Sequence, residues 1–150
     1  MNANIFFVVM LLTIGAVSSK TIGYQRCSSQ TRGEIISVDV TPCDQDPCIF
    51  RSGNRETFTV KFIPRELITS PKLYASGIKG SMTIPLMRGQ DACQGYGLNC
   101  PLQAGVQAEL EFSMKLPPFS ILRGDYGMEA YIKDQNDNLV VCGKIDLVIA

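Results

Sequence analysis

Residues 106–118 read VQAELEFSMKLPP. Ala108, Leu110, Phe112, Met114 and Leu116 are apolar at every second position, and Gln107, Glu109, Glu111, Ser113 and Lys115 fill the gaps. Successive side chains of a strand point to opposite faces, so one face of this stretch is oily and the other wet. On a helix the same residues would scatter round the circumference, so the period of two decides for β. Pro117 has no N–H for a ladder and biases Leu116 to an extended conformation, which ends the strand. The oily face covers either the solid core of a β-sandwich or the wall of an apolar pocket. Which of the two it covers is the functional question for the whole chain.

Outward from this strand the same chemistry repeats. Glu34–Val40 alternates, with Ile36, Val38 and Val40 expected on one face. Glu56–Phe62 places Phe58, Val60 and Phe62 inward and Thr57, Thr59 and Lys61 outward. Lys72–Ile84 is a weaker β segment, broken by Gly77 and Gly80, where a bulge or a close backbone approach is expected. Pro85–Pro101 is rich in glycine and reads as irregular. Met128, Ala130 and Ile132 alternate with Glu129, Tyr131 and Lys133, and Asp134–Asn138 has the composition of a hairpin turn. The last strand runs from Leu139 to Ile149, with Val141, Ile145, Leu147 and Ile149 as its inner row. No segment has a helical period. The expected architecture is an all-β, immunoglobulin-like sandwich of roughly six to eight antiparallel strands. The chain has no tryptophan to set between core cysteines, so it is not a true immunoglobulin domain.

The chain has 150 residues, and its opening is not expected to belong to the fold. Ile5–Ile14 is apolar apart from Thr13, too short to span a bilayer, and is followed by Gly15, Ala16, Val17, Ser18 and Ser19. Residues 1–19 therefore read as a secretory signal, with cleavage near Ser19. The remainder, residues 20–150, is about the size of one domain with a single core. Its 14 basic and 14 acidic residues cancel, which argues against a nucleic-acid surface. Six cysteines, Cys27, Cys43, Cys48, Cys93, Cys100 and Cys142, all follow the signal. An even count in that context means disulfides in an oxidising compartment. The short spacings favour Cys43–Cys48 and Cys93–Cys100, which leaves Cys27 with Cys142. Spacing alone does not choose among all pairings. A zinc site is the rival, with no histidine and no CxxC to support it.

The absence of histidine removes Ser-His-Asp and Cys-His catalysis, and oxidised cysteines offer no thiolate. Glu109 and Glu111 are a carboxylate pair, but they sit on the wet face and read as a solvated surface. Asp44 and Asp46 are turn formers. Asp134–Asn138 resembles a calcium loop only faintly, because Leu139 occupies the glycine position and no terminal glutamate follows. Catalytic residues, metal and cofactor are all expected to be none, and an enzyme is not expected. Without histidine, no unperturbed side chain titrates between about pH 5 and 7. What remains is an inward set rich in phenylalanine and methionine, including Met82, Met114 and Met128. Such residues usually fill a core, and they also suit an adaptable cavity.

Several stretches resemble the ML lipid-recognition family. They are Val38-Asp39-Val40-Thr41-Pro42-Cys43 with Pro47-Cys48, then Gly97-Leu98-Asn99-Cys100-Pro101-Leu102, Lys115-Leu116-Pro117 and Leu139-Val140-Val141-Cys142. The likeness is to the secreted sterol-transfer proteins of the Niemann–Pick C type 2 kind and to their arthropod relatives, the mite group 2 allergens among them. It runs from about Cys27 to the end of the chain. The resemblance implies a sandwich whose sheets splay around an apolar pocket for a sterol, fatty acid or similar lipid. It also implies the disulfides Cys27–Cys142, Cys43–Cys48 and Cys93–Cys100. Ile84 would match a pocket residue, and the segment from Leu116 to Phe119, with Tyr126, the entrance. The chain lacks the tryptophan that sterol-transfer members carry near Ala130, and it has no glycan sequon. Both differences tell against cholesterol specificity and lysosomal residence.

The reading is thus a secreted, extracellular, monomeric carrier that binds a lipid or sterol-like molecule and transfers it. A membrane or receptor is the candidate hand-off partner, and no nucleic acid is involved. The expected ligand-binding set is Val38, Phe58, Val60, Phe62, Met82, Ile84, Leu110, Phe112, Met114, Leu116, Phe119, Tyr126, Met128 and Ile132. The rival is a solidly packed extracellular interaction module, immune co-receptor-like, which needs no cavity and should expose apolar patches.

Overall fold

The structure, a computed structural model, describes residues 15–116 and 122–150. Its strands are β1 (Lys20–Ile22), β2 (Gln25–Arg26), β3 (Gly33–Thr41), β4 (Cys48–Phe50), β5 (Arg55–Pro64), β6 (Lys72–Lys79), β7 (Met82–Asp91), β8 (Ala108–Lys115), β9 (Gly124–Lys133) and β10 (Leu139–Ile149). They form two sheets. One is four-stranded in the order β1-β3-β5-β8; the other is six-stranded in the order β2-β10-β9-β6-β7, with β4 added beside β10. Only β4 with β10 is parallel; the other pairings are antiparallel.

The period-two reading of β8 holds. Leu110 and Phe112 are buried, while Glu109, Glu111 and Ser113 are exposed. In register across β5–β8, Phe58 stands opposite Phe112 and stacks on it at 4.9 Å between ring centroids. Phe50 of the other sheet meets Phe58 edge-on at 5.7 Å. Three aromatic rings therefore join the sheets through their middle, each removing a large apolar area from water.

Ten strands form among the described residues: seven are eight residues or longer, within the expected six to eight, and β1, β2 and β4 are only two or three residues long and show no pattern of their own. Three expectations needed correction. The segment from Lys72 is not one strand followed by irregular chain. It turns at Gly80-Ser81 and returns as β7, which continues through Pro85. Proline is tolerated there because β7 is an edge strand, so its N–H is not needed by a second neighbour. In β3 the ladder slips between Ile35 and Ser37. The bulge turns Ile35 inward, 7% exposed, and leaves Ile36 outward, 45% exposed, reversing the expected facing of Ile36. Finally, Met82, expected on an inner row, begins β7 and is 53% exposed.

The two ends of the sandwich differ. At one end Phe62, Ile68, Leu73 and Val140 are fully buried, and Ile68 and Leu102 exchange backbone hydrogen bonds of 2.9 and 2.8 Å that cover it. The turn 134–138 also lies here. Asp134, 2% exposed, accepts N–H bonds from Asn136 and Asn138 at 2.8 and 2.9 Å and one from the Asn138 side chain at 3.2 Å. Burial alone would raise this carboxyl's pKa; the N–H donors from Asn138 and Asn136 outweigh it and hold the pKa below the ordinary aspartate value. Asp137 takes the left-handed conformation that closes the turn, at φ 64°. This carboxylate serves the turn, not an ion.

The disulfides are Cys27–Cys142, Cys43–Cys48 and Cys93–Cys100. The first joins residues 115 apart and fastens the segment after β2 to β10. The second closes the β3–β4 loop, and the third a loop after β7. Most of the expected signal, residues 1–14, lies outside the described residues. Ser18, still within it, is tied down: its carbonyl accepts the Cys43 N–H at 2.9 Å.

Candidate functional site

Two apolar spaces lie between the sheets. The inner one measures about 40 Å³ and is walled by Val38, Phe58, Val60, Leu110, Phe112, Met128 and Ile132, with Tyr24, Ile35, Leu73 and Ile145. A space of this size holds at most a few water molecules, and its lining offers them few partners. It is a packing defect, too small for a sterol.

The second space is an open cleft of about 510 Å³ at the end opposite Asp134. The four-stranded sheet supplies Met114, and Leu116 follows it; the larger sheet supplies Phe50, Gly77, Ile84, Leu86, Met87, Tyr126, Met128, Leu147 and Ile149, with Leu122 from the connection before β9. Lys115 is the one charged residue of the lining, and it is exposed. The volume falls in the range of small-molecule sites, roughly 300–1,000 Å³. Met128 lines both spaces and so stands at the partition between them.

The cleft has a cause in the strand order. β10 packs across from β3 and β5, so β8 closes the smaller sheet while the larger one runs on to β7. β7 overhangs its partner sheet. Ile84 and Met87 are consequently only half-buried and Leu86 is exposed, although all three line the cleft. Gly77 adds to the hollow: a Cβ there would meet only the Ile84 carbonyl oxygen, at 4.0 Å. At the rim Lys79 bonds the Arg123 carbonyl at 3.1 Å and lies 4.8 Å from the Tyr126 ring centroid, which fixes that ring as a wall.

Of the residues anticipated from sequence, Val38, Phe58, Val60, Leu110, Phe112, Met128 and Ile132 line the inner space. Ile84, Met114, Leu116 and Tyr126 line the cleft, again with Met128. Phe62 lines neither, because it is sealed at the closed end, and Met82 lines neither, because it stands at the tip of the β6–β7 hairpin. Phe119 lies outside the described residues. Sequence reasoning missed Phe50, Gly77, Leu86, Met87, Leu122, Leu147 and Ile149 as cleft residues. The glycine that follows Leu73 and Ala75 on the inner row of β6 was the available signal for the space at Gly77.

One polar group interrupts this end. Glu56 sits on the inner row of β5, opposite Met114, and is 1% exposed. Among the described residues its Oε2 has no hydrogen-bond partner. Burial pushes its pKa above the ordinary glutamate value, opposed by a backbone N–H from Arg51. Such a carboxyl makes the fold less stable as pH rises from the unfolded value through the raised one, because the native state holds its proton longer. Elsewhere the chemistry is plain. Glu109 and Glu111 are exposed on the outer face, and the grouping of Cys27, Glu129 and Cys142 is a disulfide beside a carboxylate that pairs with Lys144 at 3.1 Å.

A family model described as the ML domain matches residues 21–149. The chain belongs to the ML-domain family. Over 148 residues it is 24% identical to the mouse (Mus musculus) NPC intracellular cholesterol transporter 2, covering 95% of this chain and 94% of that one. It is 25% identical over 112 residues to the ecdysteroid-regulated 16 kDa protein of Manduca sexta, 73% of this chain and 76% of the relative. Among solved structures it resembles a Niemann–Pick type C2 protein from the Japanese carpenter ant, with a TM-score of 0.74 at 17% identity over 85% of this chain and 99% of that one. That structural likeness speaks to the fold: the ML-domain sandwich is the architecture described above.

Proposed function

We propose that this ML-domain protein is a secreted carrier that takes up a small lipid, a sterol, a fatty acid or a molecule of similar size and apolarity, and hands it on. The cleft of about 510 Å³ carries the reading, because it is walled by apolar side chains of both sheets with a single exposed lysine. Placing about 300 Å² of guest surface there at roughly 25 cal/mol/Å² gives about 7 kcal/mol gross. Association costs consume part of this, so affinity on the order of micromolar is expected. The chain matches the mouse cholesterol transporter over nearly its full length, which supports a lipid as cargo. Three disulfides suit an oxidising compartment, and the apolar stretch before Gly15 suits export.

A guest that enters the cleft meets Met128 at its inner wall. Methionine repacks at little cost, so its movement would join the inner space to the cleft and lengthen the site. Nothing in the lining demands one ligand head group, and selectivity is expected to follow shape. The rival, a solid interaction module, draws on the small inner space and on exposed Met82 and Leu86. Native mass spectrometry of protein secreted by cultured cells separates the two. The carrier reading expects a co-purified lipid released on unfolding; a bare polypeptide mass from lipid-rich medium supports the module.

A further inference from the structure

The lining of the cleft sets no head group, but its rim carries a polar pair. Lys79 ends β6 on the same row as Leu73, Ala75 and Gly77, two positions beyond the glycine that helps to hollow the cleft. The β6–β9 ladder pairs Gly77 with Met128 and Ile78 with Gly127, so its next step sets Lys79 opposite Tyr126. A lysine at a rim ordinarily sends its head group out to water. This one is drawn back over a buried tyrosine, 4.8 Å from the ring centroid. Its Nζ donates to the Arg123 carbonyl at 3.1 Å and to Tyr126 Oη at 3.4 Å, which leaves one of the three ammonium N–H groups uncommitted. Tyr126 accepts in that contact, so its own O–H remains to donate. No carboxylate answers the charge. Among the described residues no ion pair includes Lys79, and residues 1–14 and 117–121 contain no Asp or Glu. Asp125, the acid next to Tyr126 in sequence, is exposed on the opposite row of β9.

We propose that Lys79 and Tyr126 form an anion subsite at the mouth of the cleft, and that the preferred cargo is a fatty acid or a similar amphiphile with a carboxylate head. The proposal rests on the carrier reading and narrows it. A carboxylate at the mouth accepts the uncommitted Lys79 N–H and the Tyr126 O–H, while its chain lies inward against Ile84, Met128 and Leu147. Hydrogen bonds between an ammonium and a carboxylate are the strong kind, but Lys79 is only half-buried and solvent screens the pair. The expected gain over an uncharged head group is therefore about tenfold. A neutral sterol hydroxyl would leave the ammonium charge unanswered. Lys115 is the other cation at the cleft, and it stands on the exposed outer row of β8, in register with Arg55.

The test titrates cis-parinaric acid and cis-parinaryl alcohol, which share a chain and differ in charge, into wild type, Lys79→Met and Lys79→Gln. At about pH 8 a free carboxyl is ionised. The wild type is expected to bind the acid about tenfold more tightly than the alcohol. In either Lys79 variant the two affinities should approach equality, and Tyr126→Phe should fall between. Near-equal affinities in the wild type overturn the anion subsite and leave the carrier reading standing, since the alcohol is still bound. The subsite is also overturned by a preference that survives in a folded Lys79 variant, or by one lost only in Lys115→Met, which would give the charge to Lys115. Saturable binding of neither probe removes the carrier reading and the subsite with it. Should circular dichroism show that neither Lys79 variant folds, the wild-type preference must narrow as salt is raised to about 1 M, and a preference indifferent to salt overturns the proposal.

Discussion

The two ends of this sandwich are built from the same kinds of residue and do opposite things. At the Asp134 end, Phe62, Ile68, Leu73 and Val140 are sealed, and the one buried carboxylate has its N–H donors. At the Glu56 end, Met114, Ile84 and Met87 are half-buried around a cleft, and the buried carboxyl has an oxygen with no donor among the described residues. Composition does not distinguish them. The difference lies in what covers each end: the Ile68–Leu102 backbone bridge and the 134–138 turn close one, while Gly77, with no side chain, and the half-buried Ile84 and Met87 of edge strand β7 leave the other open. One end is sealed, and the other gives up packing contacts around an open cleft, the space proposed for a guest.

The largest expected effect contrasts a core residue with a cleft residue. Phe62→Ala should cost about 3–5 kcal/mol, because it opens a void in close-packed surroundings. Met114→Ala should cost about 1 kcal/mol or less, because the cleft is already open beside it. Urea denaturation of both variants measures this, and equal losses would mean the cleft is closed in solution. A smaller effect sharpens the electrostatic half of the comparison. Asp134→Asn should lower stability at pH 7 by about 1–2 kcal/mol through its weakened N–H bonds. Since the folded pKa of Asp134 is depressed, its contribution is present above the unfolded value and lost as pH falls through the folded one. The wild type and the variant should therefore converge as acidification carries the pH through the lowered folded pKa, whereas a gap that never narrows with acid would show that charge plays no part.

How much of this was written in the sequence depends on what each strand faces. β5, β8 and β10 each have one face in the core, so their alternation is clear and was read correctly. β7 is poorly buried on both faces and carries Pro85 and Gly89, so no alternation marks it. In β3, Ile35 and Ile36 are both apolar, and a bulge, not the pattern, decides which one turns inward. The cleft was legible only in part for the same reason. Met114, Ile84 and Tyr126 belong to recognisable inner rows or to the family resemblance. Leu86 and Met87 line the space from edge strand β7 and Gly77 from its neighbour β6, a placement that depends on how the strands pair. Glu56 shares the inner row of Phe58, Val60 and Phe62, so its burial follows from the alternation itself, although a carboxyl is not what that row leads one to expect.

The central claim is that the cleft at the Glu56 end receives the guest, and a fluorescence titration of cis-parinaric acid into wild type and Gly77→Leu tests it most directly. The leucine side chain would project into open space, so the fold should tolerate it while the cleft fills. The account predicts saturable one-to-one binding with a Kd on the order of micromolar for the wild type, weakened about tenfold or more in the variant. No saturable binding by the wild type, or equal binding by a folded Gly77→Leu, would contradict it.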